Sequence, residues 1–93
     1  GLLSKYRPGV RIIGMSPSAT AVRQMQIMWG VTPFMAKRAE STDILIASSV
    51  DLLRQKGILE SGDVVVVTAG VVSHERRHEP AQDTNIMRVV NIL

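Results

Sequence analysis

His74-Glu75-Arg76-Arg77-His78 is the densest run of chemically competent side chains in the sequence. It spells H-E-x-x-H, the pattern in which two imidazoles hold zinc and the intervening carboxylate acts as general base. That chemistry needs both histidines on one face of a rigid helix, one turn apart. Here the run follows a strand-like stretch and soon meets Pro80, and no third ligand stands at the expected spacing. A chain of 93 residues also offers little substrate cleft. The pattern therefore argues against a catalytic zinc centre and leaves only opportunistic metal binding by the two histidines.

The same run can be read as an anion site. Arg76 and Arg77 would offer forked donors to a phosphate, and His74 and His78 would make binding depend on pH. The simpler account is a solvated loop whose charges pair with Glu75, Glu79 and Asp83. Residue types alone favour that account, because surface charge pairs are common and weak. Two other cationic clusters, Lys5/Arg7/Arg11 and Lys37-Arg38, could likewise meet phosphates on a sugar or a nucleic acid. For each of them solvated surface charge is again the simpler reading. Without interleaved aromatics or a recognisable nucleic-acid motif, no nucleic-acid partner is expected. Ser16 and Ser18 stand where a helix begins, a place that attracts anions, but capping explains them and is preferred.

The elements that must carry these groups follow from composition and pattern. One domain is expected from the length, and 45% apolar content argues against disorder. Aromatics are only 3%, so the core must be aliphatic. The net charge of +3 comes from 11 Lys and Arg against 8 Asp and Glu. Cysteine is absent, which excludes disulfides and thiolate metal sites and fits a reducing, cytoplasmic setting. No apolar run approaches the roughly 20 residues needed to cross a bilayer, and Gly1-Leu2-Leu3 is too short for a signal peptide, so no membrane partner is expected.

Val10 to Met15 reads as a buried strand, followed by Ser16 as helix cap and Pro17 at the first helical position. A helix from Ser18 to Trp29 places Val22, Met25 and Trp29 on one face with Met28 adjoining, and Gly30 stands where a left-handed cap belongs. Val31 to Met35 forms a second strand carrying Pro33. Ser41 caps a second helix that ends at Gly57 and is lined by Ile46, Val50 and Leu53, with Leu45 and Leu52 alongside. The four valines from Val64 lead a strand buried on both faces. A polar loop from Ser73 to Thr84 precedes the last strand, Ile86 to Ile92. The alternation predicts an α/β fold, a three-layer sandwich with a mostly parallel sheet whose last strand is free to run antiparallel.

Several blocks, in order along nearly the whole chain, resemble the carboxy-terminal α/β domain of pyruvate kinase. They are Lys5-Tyr6-Arg7-Pro8, Ile12-Ile13, Ser16-Pro17, Arg23-Gln24, Trp29-Gly30-Val31 with Pro33, and Ser41-Thr42-Asp43. The strongest, Gly62 to Gly70, follows, and then Thr84-Asn85 and Arg88-Val89-Val90. The resemblance implies that residues 1–93 are part of a regulatory and assembly domain without an active site of its own. The parent enzyme would transfer a phosphoryl group from phosphoenolpyruvate to ADP in a separate barrel that holds magnesium and potassium. No cofactor is expected in this chain itself. Its partners would be the rest of the enzyme chain, sister subunits of a tetramer, and a phosphorylated effector. A stand-alone α/β module that binds an anion or a partner is the alternative.

Two departures shape these expectations. Family members carry a helix, a strand and most of a further helix before Lys5-Tyr6-Arg7-Pro8, so the domain is expected to lack its first helix and strand. That strand lies near the sheet centre, between the Ile12-Ile13 and Val64 to Val67 strands. The gap should therefore close by direct pairing of those two strands or by self-association. The family's effector loop before the last strand corresponds to Val71 to Thr84, which implies an effector-binding set of His74, Arg76, Arg77, His78 and Thr84. This loop lacks the Gly/Pro-rich form of sugar-bisphosphate-regulated members. No tryptophan and arginine of the kind those members use stand near Lys37 to Ser41. The resemblance therefore speaks against fructose bisphosphate, and another phosphorylated effector, or none, is equally expected.

Overall fold

The computed structural model describes residues 9–70 and 87–93. The elements are β1 (Ile12–Ser16), α1 (Ala19–Trp29), β2 (Thr32–Met35), α2 (Thr42–Gln55), β3 (Val64–Thr68) and β4 (Met87–Asn91). They form a four-stranded sheet in the order β2-β1-β3-β4. β1 runs parallel to both β2 and β3, while β4 is antiparallel to β3. This is the expected α/β sandwich. On one face Val22 and Met25 of α1 pack with Val31, Val64 and Val66. On the other, Leu45 and Leu53 of α2 pack with Ile13, Met15, Val65 and Val67. Burial of every residue of β3 follows directly, since its alternate side chains enter two different apolar layers.

The gap expected beside β1 is closed by direct pairing. Ile12 to Met15 stand opposite Val64 to Val67 in continuous register. Gly14 leaves room for Val31, which follows α1: a Cβ there would lie 2.6 Å from Val31 Cγ2, 3.2 Å from Val31 Cβ and 3.4 Å from Met25 Cε.

Local signals explain the helix ends, with one correction. Ser16 does not cap α1. It is the last residue of β1, buried opposite Met35, and its Oγ accepts the Ser18 N–H at 3.0 Å. Ser18 is the cap, its Oγ accepting the Ala21 N–H at 3.2 Å, so Pro17 sits in the turn before the helix. Strand pairing claims Ser16 and shifts capping to the next serine. At the other end Gly30, at φ 66°, adopts the expected left-handed cap and donates to the Gln26 carbonyl. Within α1, Ala21, Val22 and Met25 are buried; Trp29 is half-buried, and Met28 is 57% exposed.

In α2, Ser41 caps as expected by accepting the Ile44 N–H at 3.2 Å, and the helix ends at Lys56 before Gly57. The buried face is rotated from the expected one. Leu45, Ser49 and Leu53 form its centre, while Ile46, Val50 and Leu52 flank it half-buried. The apolar stripe is broad enough to allow either rotation, and the sheet selects the one that puts a serine in the middle.

Candidate functional site

The carboxy ends of β1, β2 and β3 gather at one edge of the sheet. The order β2-β1-β3 reverses direction between β1 and β3, with α1 and α2 on opposite faces. Such a switch point opens a crevice beyond the carboxy ends of the strands, where open α/β sheets take their ligands. A cavity of about 260 Å³ lies at this edge. Pro17 after the end of β1, Ala69 after the end of β3, Arg38 and Glu40 from the loop before α2, and Ser41 and Thr42 from the start of α2 line it.

Its electrostatics favour an anion, in part. The first N–H groups of α2 lack intrahelical partners, as at any helix start, and the helix dipole adds positive potential there. Ser41 Oγ is occupied by the Ile44 N–H. Arg38 is exposed, and among the described residues no ion pair ties it to a carboxylate. Glu40 in the lining, and Asp43 in the first turn of α2, oppose these contributions. The arrangement can therefore hold one phosphate-sized group against Arg38 and the helix start, and disfavours a cluster of several.

His74, Arg76, Arg77, His78 and Thr84, the residues expected to bind an effector, lie outside the described residues, as does the whole H-E-x-x-H run. The structure does fix the two ends of their segment. It leaves β3 through Ala69 and Gly70, where Thr68 Oγ1 donates to the Gly70 carbonyl at 3.1 Å. It returns at Met87, which stands opposite Thr68. Both ends thus lie at the edge that carries the cavity. Among the described residues no group of three or more His, Cys, Asp or Glu side chains could hold a metal ion. No helix among them is long and apolar enough to cross a membrane.

At the opposite edge stands an ion pair that the sequence did not reveal. Arg11 Nε donates to Asp63 Oδ1 at 3.2 Å, and Arg11 Nη2 donates to Asp63 Oδ2 and to the Ile58 carbonyl, each at 2.5 Å. The Glu60 N–H completes the set, donating to Asp63 Oδ2 at 2.9 Å. The hydrogen bond from Arg11, above all, lowers the Asp63 pKa below its ordinary value; burial works against it, and the Glu60 N–H adds to it. In sequence Arg11 had read as one of a cationic cluster, and Asp63 only as part of the block Gly62 to Gly70. Their separation of 52 residues gave no local signal. The pair fastens the start of β1 to the loop between α2 and β3, a structural clasp remote from the cavity.

Comparison with known proteins points to one family. Residues 1–90 match the family described as pyruvate kinase, alpha/beta domain. A pyruvate kinase of Staphylococcus aureus (strain USA300) is 38% identical over 87 residues, covering 94% of this chain and 14% of that protein. A pyruvate kinase of Clostridium acetobutylicum is 44% identical over 69 residues, covering 74% of this chain and 15% of the relative. A crystal structure of a pyruvate kinase from Cryptosporidium parvum aligns over 99% of this chain and 16% of its own, at 25% identity and a TM-score of 0.49. The chain therefore spans about one-seventh of the length of the curated relatives it matches.

Proposed function

The chain belongs to the pyruvate kinase α/β domain family, and from that premise we propose that it is the effector-responsive, subunit-joining domain of a pyruvate kinase. The phosphoryl transfer from phosphoenolpyruvate to ADP, with its magnesium and potassium, belongs on this reading to other parts of such an enzyme. A glycolytic role of this kind is cytoplasmic. The observation that carries the proposal is the coincidence at one sheet edge. The segment holding His74, Arg76, Arg77, His78 and Thr84 leaves β3 through Ala69, which lines a cavity bearing Arg38 and the start of α2, and the chain re-enters the sheet at Met87, opposite Thr68. The expected ligand is a phosphorylated small molecule with a single phosphate in the cavity, because Glu40 and Asp43 limit the negative charge that fits there.

Isothermal titration calorimetry with sugar monophosphates, fructose bisphosphate and nucleoside monophosphates tests the proposal. One compound should bind saturably, and Arg38→Ala should weaken it about tenfold, the loss of one charge-assisted contact of roughly 1.4 kcal/mol. An absence of binding by every phosphorylated compound, or full affinity in Arg38→Ala, would remove this cavity from the reading.

A further inference from the structure

One buried polar group serves nothing in the fold. Ser49 stands at the centre of the packed face of α2, 2% exposed, and among the described residues its Oγ has no hydrogen-bond partner. Buried hydroxyls are nearly always paired, and a serine within a helix can satisfy itself on a carbonyl of the preceding turn. Ser48 does so, donating to the Leu45 carbonyl at 3.2 Å. Ser49 does not. It lines instead a cavity of about 190 Å³ between α2 and Lys37, in the loop that follows β2. This cavity shares no lining residue with the one that bears Arg38.

We propose that the cavity is a second ligand site, which takes a small monocarboxylate. Its donors are of the right kind. Lys37 is exposed, and among the described residues no salt bridge engages its ammonium. Ser49 offers its O–H, and Gln55 has a second amide N–H besides the one it gives to Asp51 Oδ2 at 2.8 Å. Lys37 would hold the carboxylate charge and Ser49 would donate to it, a bond stronger than one to a neutral acceptor. Asp51, also in the lining, opposes a second negative charge, so phosphate and dicarboxylates are disfavoured. Leu52 supplies an apolar wall for a short aliphatic body. Size sets the upper limit. An apolar cavity of about 150 Å³ holds benzene, so this one takes a ligand of roughly five to eight non-hydrogen atoms. The site goes beyond the function proposed above, since Arg38 has no part in it.

Titration of the whole 93-residue chain with propionate, lactate and pyruvate, followed through its amide chemical shifts, tests the site. The three share a carboxylate and differ in the group beside it, so their order of affinity separates the sources of such a ligand. One or more should bind saturably and move the resonances of Ser49, Leu52 and Gln55. Ser49→Ala should weaken binding about tenfold, the loss of one charge-assisted hydrogen bond, with no loss of folding stability. Lys37→Met should weaken it at least as much, and Arg38→Ala should leave it unchanged. Inorganic phosphate and succinate should bind at least about tenfold more weakly than the best monocarboxylate, through the repulsion of Asp51. Absence of binding by all three monocarboxylates, or full affinity in Ser49→Ala or Lys37→Met, overturns the inference. Equal binding of inorganic phosphate overturns it too, since a basic surface alone would then suffice. Loss of binding in Arg38→Ala would place the carboxylate in the other cavity and likewise overturn it.

Discussion

Replacing Arg11 or Asp63 should show how much of the stability of this fold is held at the edge away from the cavity. The Asp63 side chain is 6% exposed and that of Arg11 35%, so the pair lies between the surface and buried limits. Exposed pairs contribute about 0–1 kcal/mol, and removing one partner of a buried pair costs about 3–5 kcal/mol. Arg11→Ala leaves a nearly buried carboxylate with only the Glu60 N–H, and strips the Ile58 carbonyl of its donor. A loss of about 2–3 kcal/mol is expected, discounted from the buried limit for the solvent that reaches the guanidinium. Asp63→Asn keeps the shape and part of the hydrogen bonding but loses the charge, and should cost about 1–2 kcal/mol.

The pH dependence supplies an independent sign. The pKa of Asp63 is lowered in the folded state, so at acid pH the unfolded chain binds the proton more readily. Its contribution is therefore complete above the ordinary carboxylate value of 3.8 and is lost as pH falls below it, through the lower native value. Urea unfolding of the native chain and of Asp63→Asn, followed by circular dichroism from neutral pH downward, should give stability curves that differ at neutral pH and converge in acid. Parallel curves would refute the assignment of the shift to the clasp. A cost below about 0.5 kcal/mol for Arg11→Ala would show that the pair behaves as an ordinary surface contact.

Gly14→Ala should destabilise by about 1–3 kcal/mol, because its new Cβ would meet Val31 well inside contact distance and the core there is already filled; a neutral result in chemical denaturation would show that Val31 shifts outward freely. Ser49→Ala should be neutral or stabilising by about 1 kcal/mol, since Ser49 Oγ is buried without a hydrogen-bond partner and alanine is the better helix former. A clear destabilisation in that variant would reveal a partner for the hydroxyl. Ser18→Ala should cost about 1 kcal/mol through the lost cap, whereas the same change at Ser41 tests an equivalent bond in α2; midpoints of thermal unfolding report both.

Most of the fold was legible because the chain alternates its signals cleanly. The valine run of β3 could be satisfied only between two apolar layers, and Gly30 and Ser41 marked helix ends that the structure keeps. The misreadings share one cause, competition between local and long-range partners. Ser16 has the chemistry of a cap but is drawn into pairing with β2, and Ser49 is a polar residue that packing places at the centre of an apolar face. Periodicity ranked Ile46 and Val50 above it, as hydropathy must. The Arg11–Asp63 pair joins opposite ends of a crossover, which no local pattern encodes. At the cavity, Arg38 was visible as charge, but its apposition to Pro17 and Ala69 depends on the strand order.

That strand order also bears on the coupling of the two proposed activities of the domain. The segment 71–86 ends at Met87, which is both the register partner of Thr68 at the cavity edge and the first residue of β4. On the proposed reading, an effector gripped by Arg38 and by residues of that segment is coupled to the contact between subunits. Coupling of this kind is reciprocal and typically amounts to about 1–3 kcal/mol, so the subunit dissociation constant should change about 5–150-fold at saturating effector. Effector affinity should shift by the same factor between the associated and the dissociated chain. Sedimentation equilibrium with and without the calorimetrically identified compound measures the first quantity, and titration of the two forms the second. Equal effector affinities in the associated and the dissociated chain would mean that the cavity and the subunit contact are independent.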